Sequence, residues 1–303
     1  MRCWLIITTL ALATLGIWAA ACSERSEPVG ELEAPFPAAV QDAAETAVTV
    51  TEQPARIVAL ELAGAEFVEA LGAADRLVGV PDGFDIGPAG VETVVSPRGR
   101  IDIEGIVRLR PDVILATADT DAVELARLQQ RLGVPIYIQA SRSVDNLVRT
   151  AFDLGAILGE PVQARELASG IRERLGLLAD RIGGAKPVAV FADMGFFTTP
   201  AEGSLFHDLL VRAGAQLVPV DIPAGVAPSP EQIAAAAPAV YFATAESHVA
   251  LAALRADSDL GTIPAVLDER VVIVETKDVT VLGPGVLDTL ERIAAALHPD
   301  AFR

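Results

Sequence analysis

Two stretches of the chain repeat one pattern. Residues 102–119 read DIEGIVRLRPDVILATAD, and residues 229–246 read SPEQIAAAAPAVYFATAE. Glu, Ile, Pro, Val, Ala, Thr and Ala coincide in register. Each stretch opens on a residue suited to capping a helix, Asp102 or Ser229. Pro230 fits a first helical position, and Ser229 with Gln232 forms a capping-box pattern. Each helix has to stop ahead of Pro111 or Pro238, and an apolar strand follows. A chain carrying the same helix–strand unit twice is built from two equivalent lobes. Each unit sets a glutamate, Glu104 or Glu231, in the first turn of its helix, and an acid, Asp119 or Glu246, just past its strand.

The rest of the chain extends this alternation. Short apolar runs at 57–60, 113–116 and 136–138 read as buried strands of parallel type, with amphipathic helices at 64–72, 103–109 and 121–132. The pattern resumes with strands near 188–191, 217–220, 239–243 and 271–274 and helices near 204–213, 229–236 and 285–297. Between the halves, residues 143–182 contain no strand. Ser143 caps a first helix, Gly159 and Pro161 punctuate, and a second helix near 162–182 spans roughly 30 Å at about 1.5 Å per residue. The expected fold is α/β: two Rossmann-like lobes with parallel sheets, 54–142 and 183–303, joined by one long connecting helix within 143–182, with a ligand groove between the lobes.

The amino-terminal segment has a different logic. Arg2, a short apolar run over residues 3–18 and Ala19-Ala20-Ala21 before Cys22 read as an export signal over 1–21. The run is short for a spanning helix. Small residues directly before a cysteine resemble the bacterial lipobox, which implies that Cys22 becomes the lipid-bearing mature terminus. Residues 22–53, rich in Ala, Pro, Glu and Val, read as a lipid-anchored tether, with an edge strand near Val48 to Thr51. Formal charge is −18, and losing Arg2 with the leader makes it −19. Such acidity argues against a nucleic-acid partner. Both tryptophans, Trp4 and Trp18, lie in the leader, so the mature chain has none.

From Ala55 to Pro299 the chain resembles the helical-backbone class of ABC solute-binding proteins, which serves ferric siderophores, haem and cobalamin. Six stretches match in order: ARIVALELAGAEFVEALGAADRLVGV, DIEGIVRLRPDVILA, LGAILGEPVQARELA, GSLFHDLLVRAGAQLV, SPEQIAAAAPAVYFA and LGPGVLDTLERIAAALHP. The resemblance implies an extracytoplasmic, lipid-anchored binding protein that hands a small molecule to an ABC permease dimer with its ATPase, touching the membrane through the lipid alone. It implies that Glu104 and Glu231 meet basic residues of the permease. A purely local role at the positive end of each helix is the competing reading, worth about 0.3–1 kcal/mol.

Ligands of open α/β sheets sit beyond the strand carboxyl ends. The groove candidates are therefore Glu61, Phe84, Arg98, Arg100 and Thr117 from the first lobe. Phe196, Phe197, Thr244, Glu246, His248 and Lys277 come from the second. VVSPRGRIDIE resembles the loop of ferric-siderophore binders in which an arginine six residues before the docking glutamate contacts the chelate, and Arg98 stands at that spacing. A guanidinium fork suits the oxygens around Fe(III); Arg100 competes for the role. The resulting expectation is a ferric siderophore or similar iron complex, with haem or cobalamin as the alternatives. The missing tryptophan weighs against cobalamin. Tyr137 and Tyr241 lie within strand runs, and His207 reads as helix surface. Scattered histidines argue against a metal site, and no resident cofactor is expected. Gly283-Pro284-Gly285 stands where the class often shows Gly-Pro-Arg. A two-lobed enzyme using Asp119 and Glu246 is the rival class, but the chain shows no P-loop, G-x-S-x-G elbow or HExxH.

Overall fold

The computed structural model describes residues 36–84, 90–219 and 227–303. The leader, Cys22 and most of the expected tether lie outside the described residues.

The chain enters through an antiparallel hairpin, β1 (Ala38–Gln41) and β2 (Ala47–Val50), turned by Asp42, whose carboxylate accepts from the Ala44 and Thr46 N–H groups. The first lobe follows: β3 (Ile57–Ala59), α1 (Leu62–Ala70), β4 (Leu77–Pro81), β5 (Glu92–Val95), α2 (Ile103–Leu109), β6 (Val113–Thr117), α3 (Ala122–Leu132) and β7 (Ile136–Gln139). Its sheet is parallel with order β5-β4-β3-β6-β7. Every residue of β3 and β6 is buried, as both-sided covering by helices requires.

Two helices then connect the lobes, α4 (Leu147–Leu158) and α5 (Pro161–Ile182). Gly159 at φ 75 closes the first in the left-handed conformation that glycine adopts without steric cost. Pro161 starts the second at a position where a missing N–H costs nothing. Gly155 lets the pair approach, since a Cβ there would overlap that of Ala164. With 22 residues, α5 is about 33 Å long at ~1.5 Å per residue.

The second lobe comprises β8 (Val188–Asp193), α6 (Leu205–Arg212), β9 (Ala215–Leu217), α7 (Pro230–Ala236), β10 (Val240–Thr244), α8 (Leu251–Ala256), α9 (Pro264–Leu267), β11 (Val271–Val274), α10 (Thr276–Thr280) and α11 (Val286–Leu297). Its parallel sheet has order β11-β10-β8-β9. One continuous apolar core runs from Ile57 and Leu115 through Leu154 and Ile171 to Leu209, Phe242 and Leu290. The lobes are therefore cemented to the connecting helices rather than hung from a linker. Smaller clusters fill the outer face of each sheet.

Two differences from the sequence reading concern the amino-terminal half. The tether was expected to reach residue 53, yet from Ala38 the chain is folded. Val48 and Val50 are buried, β1 packs on α4, and the Gln53 side chain donates to the Leu158 carbonyl at 3.1 Å. Its alternating apolar residues are few, but half of a two-stranded ribbon's surface finds cover on α4. Strands β4 and β5 also escaped the coarse periodicity, because they are short and interrupted by Gly79, Pro81 and the exposed Glu92 and Thr93. The strand expected at 217–220 forms at Ala215–Leu217, and Val220 lies outside the described residues.

Candidate functional site

The repeat holds in three dimensions. Asp102 accepts from the Gly105 N–H at 3.0 Å and opens α2; Ser229 closes a full capping box on α7. Both helices end on a left-handed residue directly before their proline, Arg110 at φ 46 and Ala237 at φ 45. Glu104 and Glu231 project from first turns and are exposed. Their surroundings differ. Arg131 of α3 grips Glu104 with both guanidinium nitrogens, at 2.9 and 3.1 Å. Glu231 forms no ion pair among the described residues; the Ser229 hydroxyl and its own backbone N–H hold its carboxylate below the usual range.

The predicted groove residues all follow strand carboxyl ends. In the first lobe, Glu61 succeeds β3. Burial raises its carboxyl; a hydrogen bond from the Thr120 hydroxyl at 3.4 Å opposes this, and the nearby Asp119 adds to it. Phe84 follows β4 and is half-buried. Arg98 and Arg100 sit on an exposed turn after β5, closed by the Ser96 and Arg100 backbones at 3.0 Å. Among the described residues neither guanidinium forms an ion pair. Thr117 is buried at the end of β6, its hydroxyl engaged by Thr120 and the Asp119 N–H.

In the second lobe the segment after β8 carries two consecutive left-handed residues, Phe196 at φ 52 and Phe197 at φ 59. Non-glycine residues pay for that conformation, and such strain gathers at functional sites. Phe197 packs on the outer core, while Phe196 is 96% exposed. Thr244 ends β10 with a buried hydroxyl lacking a partner among the described residues. Glu246 accepts from the Thr276 hydroxyl, which lowers its carboxyl. His248 is exposed at φ 55. Lys277 opens α10.

A cavity of about 290 Å³ brings the lobes' residues together. The first lobe contributes Leu62, Glu66 and Glu69 of α1 with Gly83 and Phe84; the second contributes Lys277, Asp278 and Val281 with Gly285, Val286 and Thr289. Of the predicted residues it collects Phe84 and Lys277. Arg98, Arg100, Thr117, Phe196, Phe197, Thr244 and Glu246 keep to the strand ends outside it. Glu66, Glu69 and Asp278 were missed in the sequence, although a carboxylate inside the apolar run LAGAEFVEALG is a visible signal. Burial raises Glu66; the Gly285 N–H opposes this, Glu69 and Asp278 reinforce it, and Lys277 lowers it slightly. Asp278 is itself paired with Arg292 at 2.5 Å.

The two strand tyrosines are core residues. Tyr137 donates to Asp153 at 3.1 Å and Tyr241 to the buried Asp193 at 2.9 Å. Burial, then the neighbouring carboxylate, pushes both phenols up, so neither is placed as an iron ligand. His207 is half-buried on α6, and His298 meets the Ala213 carbonyl at 3.0 Å.

The family model described as "Periplasmic binding protein" matches residues 57–277. The chain belongs to that family. Membership makes it an extracytoplasmic substrate-binding protein of the kind that serves ABC importers, built on two lobes and a long helix. A cobalamin-binding protein of Halobacterium salinarum is 26% identical over 277 residues, covering 87% of this chain and 74% of its own. An ABC transporter substrate-binding lipoprotein of Bacillus subtilis, YvrC, itself uncharacterized, is 24% identical over 284 residues, covering 88% of each. Among solved structures, the periplasmic vitamin B12 binding protein BtuF of Vibrio cholerae superposes with a TM-score of 0.70 at 24% identity, covering 89% of this chain and all of that one. That likeness is one of fold.

Proposed function

We propose that this protein captures a corrinoid of the cobalamin type and delivers it to an ABC permease dimer with its ATPase. The observation that carries the ligand reading is the charge of the inter-lobe cavity. Three carboxylates, Glu66, Glu69 and Asp278, outnumber two cations, Lys277 and the Arg292 that pairs with Asp278, beside the apolar Leu62, Phe84, Val281 and Val286. Such a lining repels a polyanionic chelate and suits the carboxamide arms of a corrin, whose N–H groups donate to carboxylates. At about 290 Å³ the cavity takes one arm; the macrocycle lies across the strand ends, where Phe196 and Phe84 offer the flat apolar faces that tryptophan supplies elsewhere. The relatives named for cobalamin support the same reading.

A ferric siderophore is the second reading, favoured by the paired guanidinium groups of Arg98 and Arg100 on their turn. In that case Thr117, Thr244, Glu246, Lys277 and Phe197 frame the chelate with them. Calorimetric titration with cyanocobalamin, haemin, a ferric hydroxamate and a ferric catecholate separates the readings. Cyanocobalamin binding below about 1 µM, near −8.2 kcal/mol, is expected. Tight binding of a ferric siderophore with no response to cyanocobalamin overturns the corrinoid reading.

Docking rests on Glu104 and Glu231 meeting basic permease residues, one from each lobe, and anchoring rests on Cys22. Replacing Cys22 with serine tests the anchor: the protein is then expected in the soluble fraction without incorporated palmitate.

A further inference from the structure

Gly283 and Gly285 pose a question that backbone conformation does not answer. Gly285 has φ −64, and Gly283 is absent from the positive-φ residues, so any L-residue adopts either backbone. What glycine provides at Gly283 is clearance. A Cβ on Gly283 would overlap the carboxylate of Glu66, with the Glu66 Cδ at 2.8 Å and its Cβ at 3.2 Å. One on Gly285 would stand 3.4 Å from the same carboxylate. The Gly285 N–H, meanwhile, favours the ionised form of that carboxyl.

Glu66 belongs to α1, whose Ala63, Gly64, Ala65, Phe67 and Val68 are buried in the first lobe. It points the other way and reaches the turn before α11 of the second lobe. That turn is held on both sides by buried apolar residues, Leu282 before it and Val286 and Leu287 after it. Key and seat thus belong to different lobes within the one apolar core that the lobes share, so a misfit between them strains the junction of the lobes.

We propose that Glu66 and the Gly283–Gly285 turn form a key-and-seat contact that sets the spacing of the two lobes, and with it the groove width, before any ligand arrives. It is independent of which ligand the protein binds. The shape of the side chain does the setting. The charged groups around it, Glu69 on its own helix and Lys277 and Asp278 on α10, modulate how readily the carboxylate stays in place.

Pulsed electron-spin distance measurements on the ligand-free mature chain test this. Nitroxide labels are carried at Gln130→Cys on α3 and Ala235→Cys on α7, both exposed, with Cys22 replaced by serine. Gly283→Ala is expected to shift the inter-label distance by about 1–2 Å, the scale of helix shifts between packed units. Glu66→Gln, which keeps the shape, leaves it unchanged. Adding Glu66→Ala to Gly283→Ala removes the overlapping carboxylate and restores most of the original distance. If Gly283→Ala alone fails to fold, recovery of folding in the double variant supports the same contact. A wild-type distance in Gly283→Ala overturns the proposal. So does a double variant displaced, or unfolded, as much as the single one.

Discussion

If Glu104 and Glu231 dock the permease as proposed, neutralising them has unequal effects, and the inequality follows from their surroundings. Glu104→Gln and Glu231→Gln keep shape and helix start while removing one charge each. A hydrogen bond to a charged partner contributes about 1.5–3 kcal/mol, so losing one at Glu231 weakens docking about ten- to hundredfold. At Glu104 the permease must first displace Arg131, which already holds the carboxylate at 2.9 and 3.1 Å. An exposed pair of this kind is worth about 0.2–1 kcal/mol. The net contribution of Glu104 is smaller by that amount, up to about fivefold in affinity. Arg131→Ala then strengthens docking by up to the same factor, while destabilising the protein by no more than about 1 kcal/mol. Surface plasmon resonance against the permease–ATPase complex in nanodiscs reads all three variants, with salt titrated because rim charges are screened. Equal losses for the two glutamines, or weaker docking in Arg131→Ala, would mean that Arg131 does not compete with the permease for Glu104.

Three further outcomes are expected. Glu61→Gln should raise stability near neutral pH, because burial raises the folded-state carboxyl above its unfolded value and ionising it costs folding energy as pH climbs through that window; the gain should vanish in acid, where both states are protonated, as urea denaturation at several pH values will read. Tyr241→Phe strips a hydrogen bond from the buried Asp193 and should cost about 1.5–3 kcal/mol in the same assay. Gly155→Ala drives a methyl group into Ala164 between the connecting helices and should cost about 1–3 kcal/mol, with ligand affinity unchanged.

Much of the architecture is written locally. The helix–strand repeat carries its own caps, its prolines and its left-handed closures at Arg110 and Ala237, so the bounds of both copies are set locally. The long helix is likewise bounded by Pro161 and the glycine run after Ile182. What local reading lacked was pairing across the chain. Glu104 looks unpartnered until α3 folds over and delivers Arg131. Glu66 looks like a helix-surface acid until the second lobe closes on it. Of the Ala38–Val50 hairpin only the second strand, expected near Val48 to Thr51, was legible; its partner strand has too few apolar residues to announce itself, and its cover comes from α4, more than a hundred residues later. The groove candidates followed from a topological rule about strand ends, so their edges were legible. Which of them share a cavity depends on the distance between lobes, and no window of sequence contains that.

Backbone amide exchange with and without the ligand identified by calorimetry tests whether the protein binds its substrate between two lobes across their strand ends. Slowed exchange is expected in both lobes together: around Gly83–Phe84 and Ser96–Arg100 in the first, and around Gly195–Phe197 and Thr276–Asp278 in the second. Protection confined to one lobe, or centred on the opposite surface around Arg181 and His298, would contradict it.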